Sequence, residues 1–304
     1  ILPVPTSVAA PAVKGEISTQ QAFGRTLVRL ARVDEISDHI VTASPDVAIS
    51  TNLGGWINKV GVFSHTEKND SASPDQLTKW ISSPDGQHLE LAISEMNLFL
   101  LLGQLGLSHD HHGQHLLPIG TVYDPFVLRG LDALIYSLYN NSRFVIVGTP
   151  SGVTLSPEGG AHQSTITASV GAELPGLVAV EPAFATEVEW LLCDSLDQLS
   201  QADGESTYLR LSTLPIDQTP FGLAVDRYGL EVLRDLVLKG GYRLIDKPPT
   251  GRVGVTLITT GVMVPEALGA AAELEQDGID ATVLHLTSPG RIYRSWKADH
   301  SATL

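Results

Sequence analysis

Apolar positions divide the chain into alternating helix-length and strand-length segments. From Glu16 to Val33, Ile17, Ala22, Phe23, Leu27 and Leu30 recur at helical spacing, and Ser18 stands where an N-cap belongs, so a helix opens the first folded unit. Short apolar runs rich in β-branched residues follow at Ile40–Ala48, Leu116–Tyr123, Phe144–Gly148, Leu177–Val180 and Thr207–Leu211. Helical patterns at Glu90–Leu107, Pro125–Tyr139 and Ala183–Leu199 separate them. Strands alternating with helices predict an α/β fold, a mainly parallel sheet with helices on both faces.

Beyond it, Leu214–Gly251 reads as an irregular, Pro- and Gly-rich interdomain connection around a helical stretch near Asp226–Lys239. A strand (Val253–Thr260), a helix (Val264–Gln276) and a strand (Ala281–Leu286) then form one βαβ unit, too small for a core of its own. The expected division is a proline-punctuated linker over 1–15, a first domain over 16–212, a connection over 213–251 and a partial α/β domain over 252–304. The second domain is expected to be completed by residues after Leu304 or by another chain.

Composition narrows the partners. With 19 Lys and Arg against 34 Asp and Glu, the formal net charge is −15, a field that repels nucleic-acid backbones and anionic membrane surfaces. The longest apolar stretch, Leu98–Leu107, is interrupted by Gly103 and Gln104 and falls far short of the ~20 residues of a membrane span. Cys193 is the single cysteine, so no internal disulfide forms, and a cytoplasmic location is the expectation. No GxGxxG follows a strand, no P-loop occurs, and GTPSG at Gly148–Gly152 lacks the nucleophile-elbow spacing. The histidines at 109, 111, 112 and 115 match no metal-ligand spacing, and a solvated loop is expected there.

Several side chains carry candidate chemistry. Glu95 lies within the helical pattern Glu90–Leu107, flanked by Ile93 and Met96 and followed by an apolar run, where burial without a cationic partner would favour its protonated form; the alternative is a first-turn glutamate stabilised by the helix dipole. In Glu158-Gly159-Gly160-Ala161-His162-Gln163, glycines allow close approach to a ligand and set an acid near an imidazole. Tyr123 and Phe126 flank a strand-to-helix junction at the carboxyl end of an expected parallel strand, where such sheets bind ligands.

These pieces have a recognisable order: EISTQQAFGRTL, ASPDVAISTNLGGWINKVGVFS, ISEMNLF, LLPIGTVYDPF, GTPSGVTLSPEGGAHQS and VEPAFATEVEWLL. The series resembles the pyrimidine-binding domain of the transketolase-like thiamine diphosphate enzymes, and is most similar to the homodimeric pyruvate dehydrogenase (2-oxoacid dehydrogenase) component. The likeness covers roughly Glu16–Leu211, and VGVTLITTGVMVPEALGAAAELEQDGIDATVLHLTS resembles the start of that family's carboxyl-terminal domain. The resemblance implies that Glu95 bonds N1′ of the cofactor's aminopyrimidine and controls its tautomer. It implies that Tyr123 and Phe126 pack on that ring and that His162 faces the substrate. By the same resemblance Asp46 and Asn52 line the cofactor cleft, with Ser50 and Glu158 toward the substrate. The loop holding Glu158 is one residue shorter than in transketolases.

One departure stands out. The family binds the diphosphate and Mg2+ through a separate domain bearing a GDG motif, and no GDG occurs in this chain. The resemblance therefore implies half a site, with thiamine diphosphate and Mg2+ completed by a diphosphate-binding domain or subunit. It further implies a 2-oxo acid substrate, a lipoyl acyltransferase partner and a homo-oligomer. Two other readings are a transketolase-type ketol transfer, for which Arg129 and Lys59 are the nearest phosphate-binding candidates, and a non-catalytic dimerisation or regulatory relative.

Overall fold

The computed structural model describes residues 1–8, 14–66, 80–246 and 250–301; parts of the expected linker and connection, and Leu304, lie outside them. A two-residue strand, β1 (Glu16–Ile17), precedes α1 (Thr19–Leu30), whose N-cap Ser18 accepts the Gln21 N–H as the sequence predicts. Then come β2 (Ile40–Pro45), α2 (Gly54–Val60), β3 (Val62–Phe63), β4 (Ser82–Ser83), β5 (His88–Leu91) and α3 (Glu95–Leu105). They are followed by α4 (Ser108–His112), β6 (Leu117–Val122), a 3₁₀ segment (Asp124–Gly130), α5 (Leu131–Tyr139), β7 (Val145–Gly148), α6 (Thr167–Glu173), β8 (Leu177–Val180), α7 (Ala185–Ser200) and β9 (Ser206–Arg210).

Eight strands form one wholly parallel sheet in the order β4-β3-β5-β2-β6-β7-β9-β8. Its alternation feeds two cores. Val145 and Val147 join Phe23, Leu27, Trp56, Val188 and Leu192 on one face, whereas Phe144, Ile146 and Tyr208 join Leu98, Phe99, Leu102 and Leu134 on the other. Helices α1, α2 and α7 cover the first face, and α3 and α5 pack together over the second.

Two segments depart from the periodicity. The helix expected from Glu90 starts at Glu95, because His88–Leu91 pairs with β2 and Ser94 caps the helix by accepting the Asn97 N–H. The helix expected from Pro125 begins only at Leu131, the preceding turn being 3₁₀ with Pro125 in its first turn.

The stretch after β9, expected to be irregular around one helical stretch near Asp226–Lys239, is ordered as β10 (Ile216–Asp217), α8 (Thr219–Tyr228), α9 (Leu230–Lys239), which falls in that helical stretch, and β11 (Gly241–Ile245). β12 (Gly254–Thr260), α10 (Val264–Gln276), β13 (Asp280–Leu286) and α11 (Pro289–Ser301) follow. The second sheet runs β11-β13-β12, parallel between β12 and β13 and antiparallel between β11 and β13, while β1 pairs with β10 apart from both. Its βαβ unit makes no separate core: Tyr242, Leu244, Val264, Ala271 and Val283 belong to the same apolar cluster as α7 and α9. Buried Glu187 of α7 binds both Tyr242 Oη (2.8 Å) and His285 Nε2 (3.1 Å) across that junction.

Candidate functional site

Parallel strands end together on one side of the sheet, and the loops that leave them carry the residues singled out in the sequence. Asp46, Ser50 and Asn52 follow β2, Glu95 follows β5, Tyr123 and Phe126 follow β6, and Glu158 and His162 follow β7. Ligands of open parallel sheets bind on this side.

Tyr123, Phe126 and His162 meet directly. The two aromatic rings lie 5.9 Å apart at 22°, and the imidazole presents its edge to both, 5.7 Å from Tyr123 and 5.6 Å from Phe126. His162 Nδ1–H donates to the Glu158 carbonyl at 3.1 Å, which leaves Nε2 outside that bond. Glu158 thus reaches the imidazole through its backbone, with its side chain exposed.

Glu95 is 7% exposed in the first turn of α3, so both the burial and the helix-start reading of the sequence apply. Burial does not leave it without a cationic partner: Arg129 Nη1 donates to Glu95 Oε1 at 3.1 Å. The same guanidinium lies 3.8 Å above the centre of the Phe126 ring, a cation–π contact of ~0.5–1 kcal/mol at an exposed site. Gly130 makes this approach possible, since a Cβ there would stand 2.1 Å from Phe99 Cδ2 and 2.9 Å from the Glu95 carbonyl oxygen. Glu95, Phe126 and Arg129 therefore form one contiguous group with Tyr123 and His162.

The loop after β2 is fixed separately. Trp56 Nε1–H donates to Thr42 Oγ1 (2.9 Å), whose own hydroxyl meets His88 Nδ1 at 2.8 Å; His88 Nε2 meets Glu90 Oε2 at 3.0 Å. Glu90 Oε1 then accepts the Asp46 N–H at 2.9 Å. This chain holds Asp46 at φ 63°, and Asn52 sits at φ 68° with Nδ2 on the Gln20 carbonyl (3.2 Å). Left-handed backbone at two non-glycine residues in one loop is the kind of strain found at ligand sites. Gln20 Nε2 also spans Ser50 O (2.9 Å) and Thr149 Oγ1 (3.0 Å), tying this loop to the end of β7. No polar contact joins Asp46, Ser50 or Asn52 to Glu95 or His162 among the described residues.

Sequence reasoning missed the centre behind the aromatics. Asp124, fully buried between Tyr123 and Pro125, accepts from Ser164 Oγ, Tyr208 Oη, Thr167 Oγ1 (2.5 Å) and Arg210 Nε and Nη2 (both 3.3 Å). Ser164 and Thr167 follow His162 in the chain, so Asp124 fastens the histidine's loop beneath the aromatic pair. Arg210 also pairs with Glu181. Burial pushes the Tyr208 hydroxyl well above its ordinary value, and the adjacent Asp124 adds to it. Burial likewise raises Glu181 against the pull of Arg210. A signal was present: Arg210 is a charge at an interior strand position, which requires a buried partner.

The histidine run forms the short exposed helix α4, with His109 stacked on His115 at 3.8 Å. Among the described residues no group of three or more His, Cys, Asp or Glu could hold a metal ion, and no helix is long and apolar enough to cross a membrane.

Comparison with known proteins gives concordant matches. Residues 6–217 match the family model described as the pyruvate dehydrogenase E1 component middle domain, and residues 250–295 match the transketolase C-terminal domain. The pyruvate dehydrogenase E1 component of Mycolicibacterium smegmatis is 26% identical over 282 residues, covering 91% of this chain and 30% of that protein. The transketolase of Leishmania mexicana superposes with a TM-score of 0.72 at 20% identity, covering 96% of this chain and 38% of its own. A split-gene transketolase, solved as an inactive beta4 tetramer, gives 0.60 at 20% identity, over 93% of this chain and 75% of that one. The chain thus spans about a third of the length of the curated relatives it matches.

Proposed function

Because the chain belongs to the pyruvate dehydrogenase E1 component family through its middle domain, we propose that it supplies the aminopyrimidine-binding half of a thiamine diphosphate site. The enzyme so completed would decarboxylate pyruvate or a related 2-oxo acid oxidatively and pass the acyl group to a lipoyl acyltransferase. One observation carries this reading: the Arg129 guanidinium, planar and bearing N–H groups, already stacks on Phe126 while donating to Glu95. An aminopyrimidine offers the same pairing of a flat face with in-plane nitrogen, so the residues present fit that ring.

When bound, the cofactor supplies the carbon nucleophile and electron sink for decarboxylation. In this reading the Glu95 carboxyl bonds ring nitrogen N1′ and selects the tautomer. Phe126 and Tyr123 hold the ring plane, at ~1 kcal/mol for an aromatic pair. His162 turns Nε2 toward the substrate and exchanges a proton there. Asp46 and Asn52 line the cofactor side of the cleft, and Ser50 and Glu158 the substrate side.

The diphosphate and Mg2+ fall to a domain or subunit outside these residues. We take 16–212 as the pyrimidine-binding domain, 213–251 as a connection that lends β11 to the second sheet, and 252–304 as the start of a transketolase-like carboxyl-terminal domain. A cytoplasmic homo-oligomer completes the proposal.

The test is reconstitution. The chain is combined with the diphosphate-binding domain of a pyruvate dehydrogenase relative, thiamine diphosphate, Mg2+, pyruvate and an artificial electron acceptor. Turnover that disappears with Glu95→Gln supports the reading. Turnover of a ketose phosphate but not pyruvate would replace it with ketol transfer, and none with either donor would leave the non-catalytic relative.

A further inference from the structure

Away from the aromatic cleft, a cavity of about 510 Å³ opens between α1 and α2 and is lined by Gln21, Arg25, Val28, Arg29, Arg32, Asn52 and two glycines. No acidic residue lines it, although acids outnumber bases 34 to 19 in the chain. Arg25 and Arg29 lie four residues apart on α1, where like charges oppose one another and weaken the helix, and Arg32 follows in the turn just beyond its end. Local pairing does not offset this. Arg29 reaches only Glu189, at 3.9 Å, and Arg25 and Arg32 have no ion pair among the described residues. Gly55 lets α2 approach α1 closely here, because a Cβ there would meet Val28 Cγ2 at 3.0 Å.

We propose that this groove is an anion site for a small phosphate-bearing molecule, with Arg25 and Arg32 as its principal ligands and Arg29 shared with Glu189. Planar guanidinium forks match phosphate oxygens in pairs, and the cavity is roomy enough for a diphosphate on a small carrier. Asn52 gives the site a connection to the cleft. It lines the groove and donates to the Gln20 carbonyl, while Gln20 Nε2 holds the Ser50 carbonyl, so an anion here touches the loop after β2. The proposal stands on this geometry alone, whatever cofactor the aromatic cleft takes.

The probe is inorganic pyrophosphate, titrated calorimetrically into the wild-type chain and into Arg25→Gln/Arg32→Gln, with citrate as a carboxylate polyanion of similar charge. Both side chains are exposed, Arg25 on α1 and Arg32 in the turn after it, and circular dichroism checks that the variant folds. Saturable one-to-one binding is expected, weakened by at least about tenfold in the variant and by added salt. Absence of saturable binding at millimolar pyrophosphate, equal affinity in the variant, or citrate binding as tightly as pyrophosphate would each overturn the proposal.

Discussion

Asp124→Asn tests the buried centre beneath the aromatic pair. The carboxylate accepts from two hydroxyls of the His162 loop, from Tyr208 and from the Arg210 guanidinium. An amide of the same shape offers one acceptor oxygen, turns N–H groups toward the remaining donors and removes the charge beside Arg210. Removing one partner of a buried pair costs ~3–5 kcal/mol, and because Glu181 stays on Arg210 the lower end, about 3 kcal/mol, is expected. At ~2–4 °C per kcal/mol for larger domains, the melting temperature falls by ~6–12 °C. Urea and thermal unfolding measure this, with the exposed Asp110→Asn as a control that changes stability by less than ~0.5 kcal/mol. The same variant releases the His162 loop, so the imidazole proton resonances lose the ring-current shift imposed by Tyr123 and Phe126. Stability unchanged within ~0.5 kcal/mol, or a His162 resonance that does not move, would refute the reasoning.

Other consequences follow from the same geometry. Burial, with Glu189 and Asp194 nearby, pushes the Cys193 thiol up to about 12, so a thiol reagent at pH 8 should leave the native protein unlabelled and label it fully in urea. Burial alone would raise Glu187, but His285, the Phe184 N–H and Tyr242 hold it below its ordinary value of 4.5. Its stabilisation is therefore complete above pH 4.5 and lost as pH falls through the lower folded value, so the stability gap between wild type and Glu187→Gln should narrow in acid denaturation curves. Gly130→Ala forces a methyl group into the Phe99 ring and should cost ~1–3 kcal/mol in urea unfolding while parting Arg129 from Glu95, visible as a changed Arg129 side-chain NMR signal.

Much of this arrangement was legible because it depends on local period and order. Leu177–Val180 is a strand and Val264–Gln276 a helix with the predicted bounds, since a short continuous apolar run and a clean helical stripe leave little competition. His88–Leu91 escaped because its short alternation lies against a strong helical run, and the tie that makes it a strand, His88 to Thr42, spans 46 residues. Tyr123, Phe126 and His162 were found as separate motifs, but their convergence depends on β6 and β7 being neighbours, which no local pattern encodes. Arg129 was read as a possible phosphate ligand; its hold on Glu95 depends on how closely the 3₁₀ segment approaches α3. Asp124 was hidden between two aromatics because its partners, Ser164, Thr167, Tyr208 and Arg210, are distant in sequence and ordinary in type.

The most direct test of the pyrimidine-half assignment is saturation-transfer NMR of thiamine diphosphate with this chain and with Glu95→Gln. The account predicts strong transfer to the aminopyrimidine protons, weak transfer to the thiazolium side chain, and loss of the pyrimidine signal in the variant. Equal transfer across the molecule, no transfer, or a pyrimidine signal indifferent to Glu95 would contradict it.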